Sequence, residues 1–194
     1  MGEQVRKPGK KDEIKDVQPI RSLEKIEDMK WSLRTWCGER DYILFLFGIN
    51  TGLRVSDLLA FKKDDIRGKR KLTVREGKTK KRRVLHLDNI YGELNAYIGT
   101  LDGTDWLFPS RKGDKPISRI QAYRQLNKAA EMVDIPDGIG THTLRKTFGY
   151  WHYKQFRDVA ELQTILNHTH PEVTLRYIGI SDETIENNLK RFVL

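Results

Sequence analysis

Residues 41–50, DYILFLFGIN, are apolar nearly all the way round a helical projection. A helix of that composition is stable only when other elements wrap it, so the rest of the chain must be built around it. Gly52 follows closely, where a left-handed residue ends a helix at least steric cost. Upstream, Ser22 N-caps a predicted helix running to about Trp36, with Leu23, Ile26, Met29 and Leu33 on one side and Cys37-Gly38 closing it. Downstream, a further short helix is expected from Ser56 to Lys62.

The pattern then changes. Leu72–Arg75 and Val84–Leu87 are strand-like segments flanking GKTKKRR, which predicts a small antiparallel hairpin or meander. Asn89–Gly99 reads as helix and Asp105–Ser110 as extended chain or loop. Ser118 caps a helix through about Val133, and Pro136-Asp137-Gly138 breaks it. From His142 onward the chain reads as helices with short loops. Ser181 opens a last helix, whose Ile185, Leu189 and Phe192 share a face. Residues 1–20 are lysine-rich with little periodic apolar content, a tail or linker. The expected class is mostly α with a small antiparallel β-sheet (α+β), in one domain spanning 21–194.

Charge narrows the partners. Lys and Arg number 36 against 27 Asp and Glu, a net charge of +9. That balance favours a polyanion, with nucleic acid ahead of a membrane surface, over a protein that merely happens to be basic. Cys37 is the only cysteine, which excludes an internal disulfide and fits a reducing compartment. The charged N-terminus has no apolar signal core, and the longest apolar run, Tyr42–Phe47, is too short to span a bilayer. A cytoplasmic protein is expected.

Four stations hold the residues with chemistry. Arg54 follows the helix-ending Gly52 in TGLRVSDLL. Lys78 sits at the tip of the predicted hairpin, with Lys80, Lys81, Arg82 and Arg83 beside it. His142 and Arg145, three apart in HTLR, share a face if that segment is helical. His168 stands nine residues before Tyr177 in LNHTHPEVTLRY. Taken singly, each has an ordinary reading: a surface ion pair, a solvated basic face, a core histidine, a packed aromatic. Together they form a phosphate-chemistry set without a metal-ligand pattern.

In that order and spacing the chain resembles the catalytic domain of the tyrosine recombinase (phage integrase) family. The family's TGLR-type box, hairpin lysine, HxLR box and leucine-x-histidine box with a tyrosine nine residues on read here as Thr51–Arg54, Lys78, His142–Arg145, Leu166–His168 and Tyr177. The match runs roughly from Ser22 to Leu194. The resemblance implies that the Tyr177 hydroxyl attacks a DNA phosphodiester. Arg54 and Arg145 present planar donor forks to the non-bridging oxygens, and His168 adds a further donor. His142 is the nearest group to assist deprotonation of Tyr177, and Lys78 protonates the departing 5′ oxygen. The product is a 3′-phosphotyrosine that keeps the bond energy, so resealing needs no ATP, metal or cofactor.

Lys78 is preferred over Lys80 and Lys81 because it follows Gly77 at the turn, 24 residues after Arg54. Asp57 matches an acidic position of the family box and orients the arginine or caps the helix. Lys80, Lys81, Arg82 and Arg83 are expected to contact phosphates, giving salt-sensitive affinity for double-stranded DNA. Two positions depart from the family pattern: Asn167 replaces a usual glycine, and Lys146 a common second histidine. Residues 1–20 cannot form the N-terminal core-binding domain that most members carry, so a fragment or a catalytic-domain-only member is expected. The last helix either packs on its own core or, as the resemblance implies, docks on a neighbouring protomer in a tetramer. A bacterial or phage-encoded site-specific recombinase leads. The alternatives are topoisomerase-like relaxation and a DNA-binding regulatory descendant.

Overall fold

The computed structural model describes residues 17–135, 139–140, 142–180 and 189–193. Helix α1 (Leu23–Ser32) starts where the Ser22 hydroxyl accepts from the Lys25 N–H at 3.2 Å. The predicted helix continues past Ser32 as a wider, π-helical turn (Leu33–Cys37), closed by a 2.8 Å bond from the Gly38 N–H to the Leu33 carbonyl. Helix α2 (Glu39–Thr51) is the central element. Every residue from 41 to 48 is buried, and α1, α5, α6 and α7 pack around it.

Two glycines let α2 come close to α7 (Thr143–Phe156). A Cβ at Gly48 would lie 2.7 Å from a Leu144 methyl. Gly52 caps α2 in the left-handed region at φ 62°, with the Phe148 ring against its backbone. This tight contact brings the TGLR turn against the HTLR helix.

The helix expected over 56–62 is shorter. It forms α3 (Val55–Leu58), turns, and restarts as α4 (Lys63–Ile66), where the Asp65 carboxylate accepts from the Lys62 N–H at 2.8 Å. The break lets Phe61 and Leu107 pair through a backbone bond of 3.0 Å, and Asp105–Ser110, expected as extended chain or loop, is a loop with isolated bridges at Trp106 and Pro109. Strands β1 (Lys71–Arg75) and β2 (Arg82–His86) form an antiparallel hairpin with Arg75 opposite Arg82. Helix α5 (Tyr91–Gly99) follows a 3₁₀ turn, and α6 (Arg119–Glu131) is capped by Ser118 as expected. The expected break at Pro136-Asp137-Gly138 lies outside the described residues.

Helices α8 (Val159–Leu166) and α9 (Pro171–Tyr177) complete the site. Leu162, Leu166 and Ile178 make a small second core that takes in Phe148, Leu175 and Tyr177. Asn167 adopts the left-handed conformation at φ 53° that ends α8, a role asparagine fills with little strain. The departure from glycine there is therefore conformationally neutral.

Residues 17–20, expected to belong to a tail, pack on the fold because Ile20 is apolar and buried. The Ile20 N–H donates to Thr147 Oγ1 and its carbonyl accepts from Trp151, each at 2.9 Å. Arg21 reaches the Gly179 carbonyl, just beyond Tyr177, at 3.1 Å. Most of the expected last helix, with Ile185, lies outside the described residues. Its Leu189 and Phe192 are exposed, as is Val193. No described helix is long and apolar enough to cross a membrane.

Candidate active site

Arg145 is the anchored centre. It lies in the first turn of α7, 2 % exposed, and its guanidinium donates to the carbonyls of Gly52 and Leu166, each at 2.7 Å. Those carbonyls end α2 and α8. Helix C-termini present unsatisfied oxygens and the negative end of a dipole, so two of them make a socket for a buried cation.

Arg54 is the N-cap residue of α3, held near by the turn that leaves Gly52. Its guanidinium donates to the Glu76 carboxylate, and Asp57 lies 3.9 Å away. Glu76 Oε1 also stands 3.5 Å from Arg145 Nη1, so one carboxylate bridges both arginines. Burial pushes Glu76 up, but Arg145 and Arg54 outweigh it and hold the pKa below the usual carboxylate value. Sequence reading missed Glu76. The signal was strand phase: Leu72, Val74 and Glu76 alternate on the inward side, an acid in an apolar register just before the lysine turn.

Tyr177 ends α9 with its ring between two histidines. Its hydroxyl lies 3.3 Å from His142 Nδ1, and the His168 ring centroid is 4.9 Å from its own. Burial pushes the phenol pKa up, against Arg145, Arg54 and a hydrogen bond from Arg145, which pull it down. Burial, reinforced by the neighbouring cations, pushes both histidines below the ordinary imidazole value. His142 is thus a neutral imidazole facing the phenol, able to take a proton. His168 Nδ1 contacts Thr174 Oγ1 at 3.1 Å, and that hydroxyl is within 3.4 Å of the His170 carbonyl. Thr174, three residues before Tyr177 on α9, therefore fixes the ring orientation, another contact that sequence reading did not find.

Lys78 is exposed at the hairpin tip. It lines a cleft of about 310 Å³ with Arg54, Ser56, Arg119 and His142, so the structure brings it to the mouth of the same site. Lys146, noted only as a departure, is 6 % exposed, with its ammonium 5.3 Å from the centre of the Tyr177 ring.

The basic run divides. Lys80, Lys81 and Arg82 are exposed beside the tip. Arg83 is not part of that surface, because the run has entered β2 and alternation turns residue 83 to the same side as buried Leu85. Its Nη2 donates to the Thr51 carbonyl at 2.5 Å, and the guanidinium lies 5.6 Å from the Phe148 ring centre. Burial and Arg145 push its pKa down to about 10, against the pull of Glu76. Among the described residues no three His, Cys, Asp or Glu side chains gather as a metal site.

Comparison with known proteins gives the family. The phage integrase family model matches residues 25–184. The chain is similar to a probable integrase/recombinase, YoeC, of Bacillus subtilis (strain 168): 49% identical over 177 residues, covering 91% of this chain and 97% of that protein. It is 27% identical over 163 residues to the tyrosine recombinase XerD of Staphylococcus saprophyticus, covering 80% of this chain and 55% of that one, so it spans about half of this second relative. Its fold resembles the crystal structure of XerA recombinase with a TM-score of 0.72 at 22% identity, over 90% of this chain and 65% of the other. The chain belongs to the phage integrase family.

Proposed function

We propose that the chain carries out the family's reaction, site-specific DNA recombination in integration, excision or resolution, through a 3′-phosphotyrosine formed on Tyr177. The observation that carries this reading is the Tyr177 hydroxyl, held 3.3 Å from His142 Nδ1 beside the buried Arg145. In the proposed step the phenol oxygen bonds to phosphorus as His142 takes its proton. The bond to the 5′ oxygen breaks as Lys78 supplies a proton to it. Arg54, Arg145 and His168 stabilise the charge that builds on the non-bridging oxygens. The reverse sequence reseals the strand on a new 5′ hydroxyl.

Double-stranded DNA is the proposed partner, with Lys80, Lys81 and Arg82 on its phosphates. Exposed Leu189, Phe192 and Val193 support docking of the C-terminal segment on a second protomer, as a recombining tetramer requires. A bacterial or phage-encoded cytoplasmic enzyme fits the charge and the lone cysteine. Neither a regulatory descendant nor a topoisomerase-like activity is favoured. All six groups of the constellation are present, and the 49%-identical relative is a probable integrase/recombinase.

The test is covalent capture on nicked duplexes randomised around the nick, in chelator. Wild type should leave a denaturation-resistant adduct, whereas Tyr177→Phe should leave none while still binding DNA. An adduct in both proteins, or in neither while binding persists, would reject the assignment.

A further inference from the structure

The groups proposed for the two halves of the reaction sit on different supports. The arginines hang on helix ends, whereas Lys78 rides the tip of a hairpin. One side chain touches both supports. Glu76 is the last residue before the turn, 3 % exposed. Oε2 accepts from Arg54 and, at 3.1 Å, from the Thr79 hydroxyl on the far side of Lys78. Oε1 faces Arg145. Its backbone closes the same turn, accepting from the Lys80 N–H at 2.9 Å and donating to the Lys81 carbonyl at 3.0 Å. Asp57 makes a parallel tie from α3, accepting from the Gly77 N–H at 3.1 Å.

We propose that Glu76 is a positioning residue that locks the Lys78 turn to the arginine pair, so that phosphate binding and protonation of the leaving group occur in one geometry. The proposal rests on the recombinase reading above. Glu76 does not touch the phosphate, because it is buried behind the arginines that do. Its charge matters as well as its reach: two guanidiniums packed together repel unless an anion lies between them. A glutamine would keep the volume and one acceptor but turn N–H donors towards a guanidinium or the Thr79 hydroxyl.

The test compares single-turnover cleavage by wild type, Glu76→Gln and Thr79→Val on a nicked duplex sequence that wild type has selected. Each substrate is made twice, once with the natural bridging 5′ oxygen and once with sulfur, which leaves as a thiolate without needing a proton. Glu76→Gln should slow cleavage of the oxygen substrate by about tenfold or more. Its DNA affinity should be unchanged or higher, since a negative charge is lost near the phosphates. The deficit should shrink clearly on the sulfur substrate. Thr79→Val leaves the carboxylate and the arginines in place and cuts only the tie across the turn. It should show a smaller deficit of about two- to fivefold that disappears with sulfur.

Equal deficits on the two substrates, wild-type rates in both variants, or cleavage and binding lost in parallel would each overturn the role. If Glu76→Gln does not fold, Thr79→Val alone decides. Wild type that forms no adduct at all would instead reject the recombinase reading on which the role depends.

Discussion

The two cations proposed to flank the reacting phosphate are supported in opposite ways. Arg145 is buried and bonded to two helix-end carbonyls and faces a carboxylate, whereas Lys78 is exposed on a four-residue tip. The difference suits the work proposed for each. A group that stabilises charge on the phosphate gains from being fixed before the charge appears. A group that gives up a proton must reach the departing oxygen, and the exposed tip leaves Lys78 open to it. In the proposed reaction, rigidity thus lies where charge builds and solvent contact where a proton leaves.

Substitution should separate the two supports. Arg145→Ala leaves the Gly52 and Leu166 carbonyls and Glu76 without their shared partner. It should lower unfolding free energy by on the order of 3–5 kcal/mol and cleavage by about a thousandfold, read by denaturant titration and adduct formation. Lys78→Ala should slow cleavage about a hundredfold on the natural substrate and leave the melting temperature unchanged. If Lys78→Ala destabilises the protein as Arg145→Ala does, the contrast fails.

Acid should expose the same division. His142 has its folded pKa below the ordinary imidazole value of 6.5, so the unfolded chain binds more protons there and stability falls as pH drops through that window. The shift of Glu76 is also downward, from 4.5, so its contribution is present above that pH and is lost as pH falls through its lower folded value. Denaturant titration should show loss beginning below about pH 6.5 and steepening below 4.5. His142→Asn should reduce the first part, which His152 and His168 share, and Glu76→Gln should reduce the second.

The smallest effects should divide neighbouring arginines. Arg82→Ala should weaken DNA binding and reduce the salt dependence by about one phosphate contact. Arg83→Ala should leave that slope unchanged and lower stability instead, because it removes the bond to Thr51 and the contact with Phe148. Equal slopes in the two variants would show that Arg83 does not belong to the interior.

This last pair also marks how far the sequence could be read. The wrapped helix α2 was legible because apolar residues on every side leave only one solution, and Gly52 marked its end. The six groups proposed for the reaction were singled out by order and spacing. What escaped was phase at the hairpin. Residues 76–83 look like a charged run, but the strands put Glu76 and Arg83 inside and Lys80, Lys81 and Arg82 outside. Charge is visible in composition; the side of a strand it occupies depends on where the turn begins. The split of the expected helix after Leu58 likewise depends on a pairing with residues far along the chain, beside Trp106.

The socket of Arg145 has a further consequence, for which lengths of this chain can change. Its two carbonyls come from the last turns of helices that begin well apart in sequence. Each residue added to a helix rotates the chain beyond it by about 100°. A one-residue insertion inside α2 or α8 would swing its carbonyl out of reach, although it left every named side chain intact. Variation in length is thus confined to segments that do not set those two ends, such as the loop between α5 and α6, and a library of single-residue insertions would map the socket without altering a single charge.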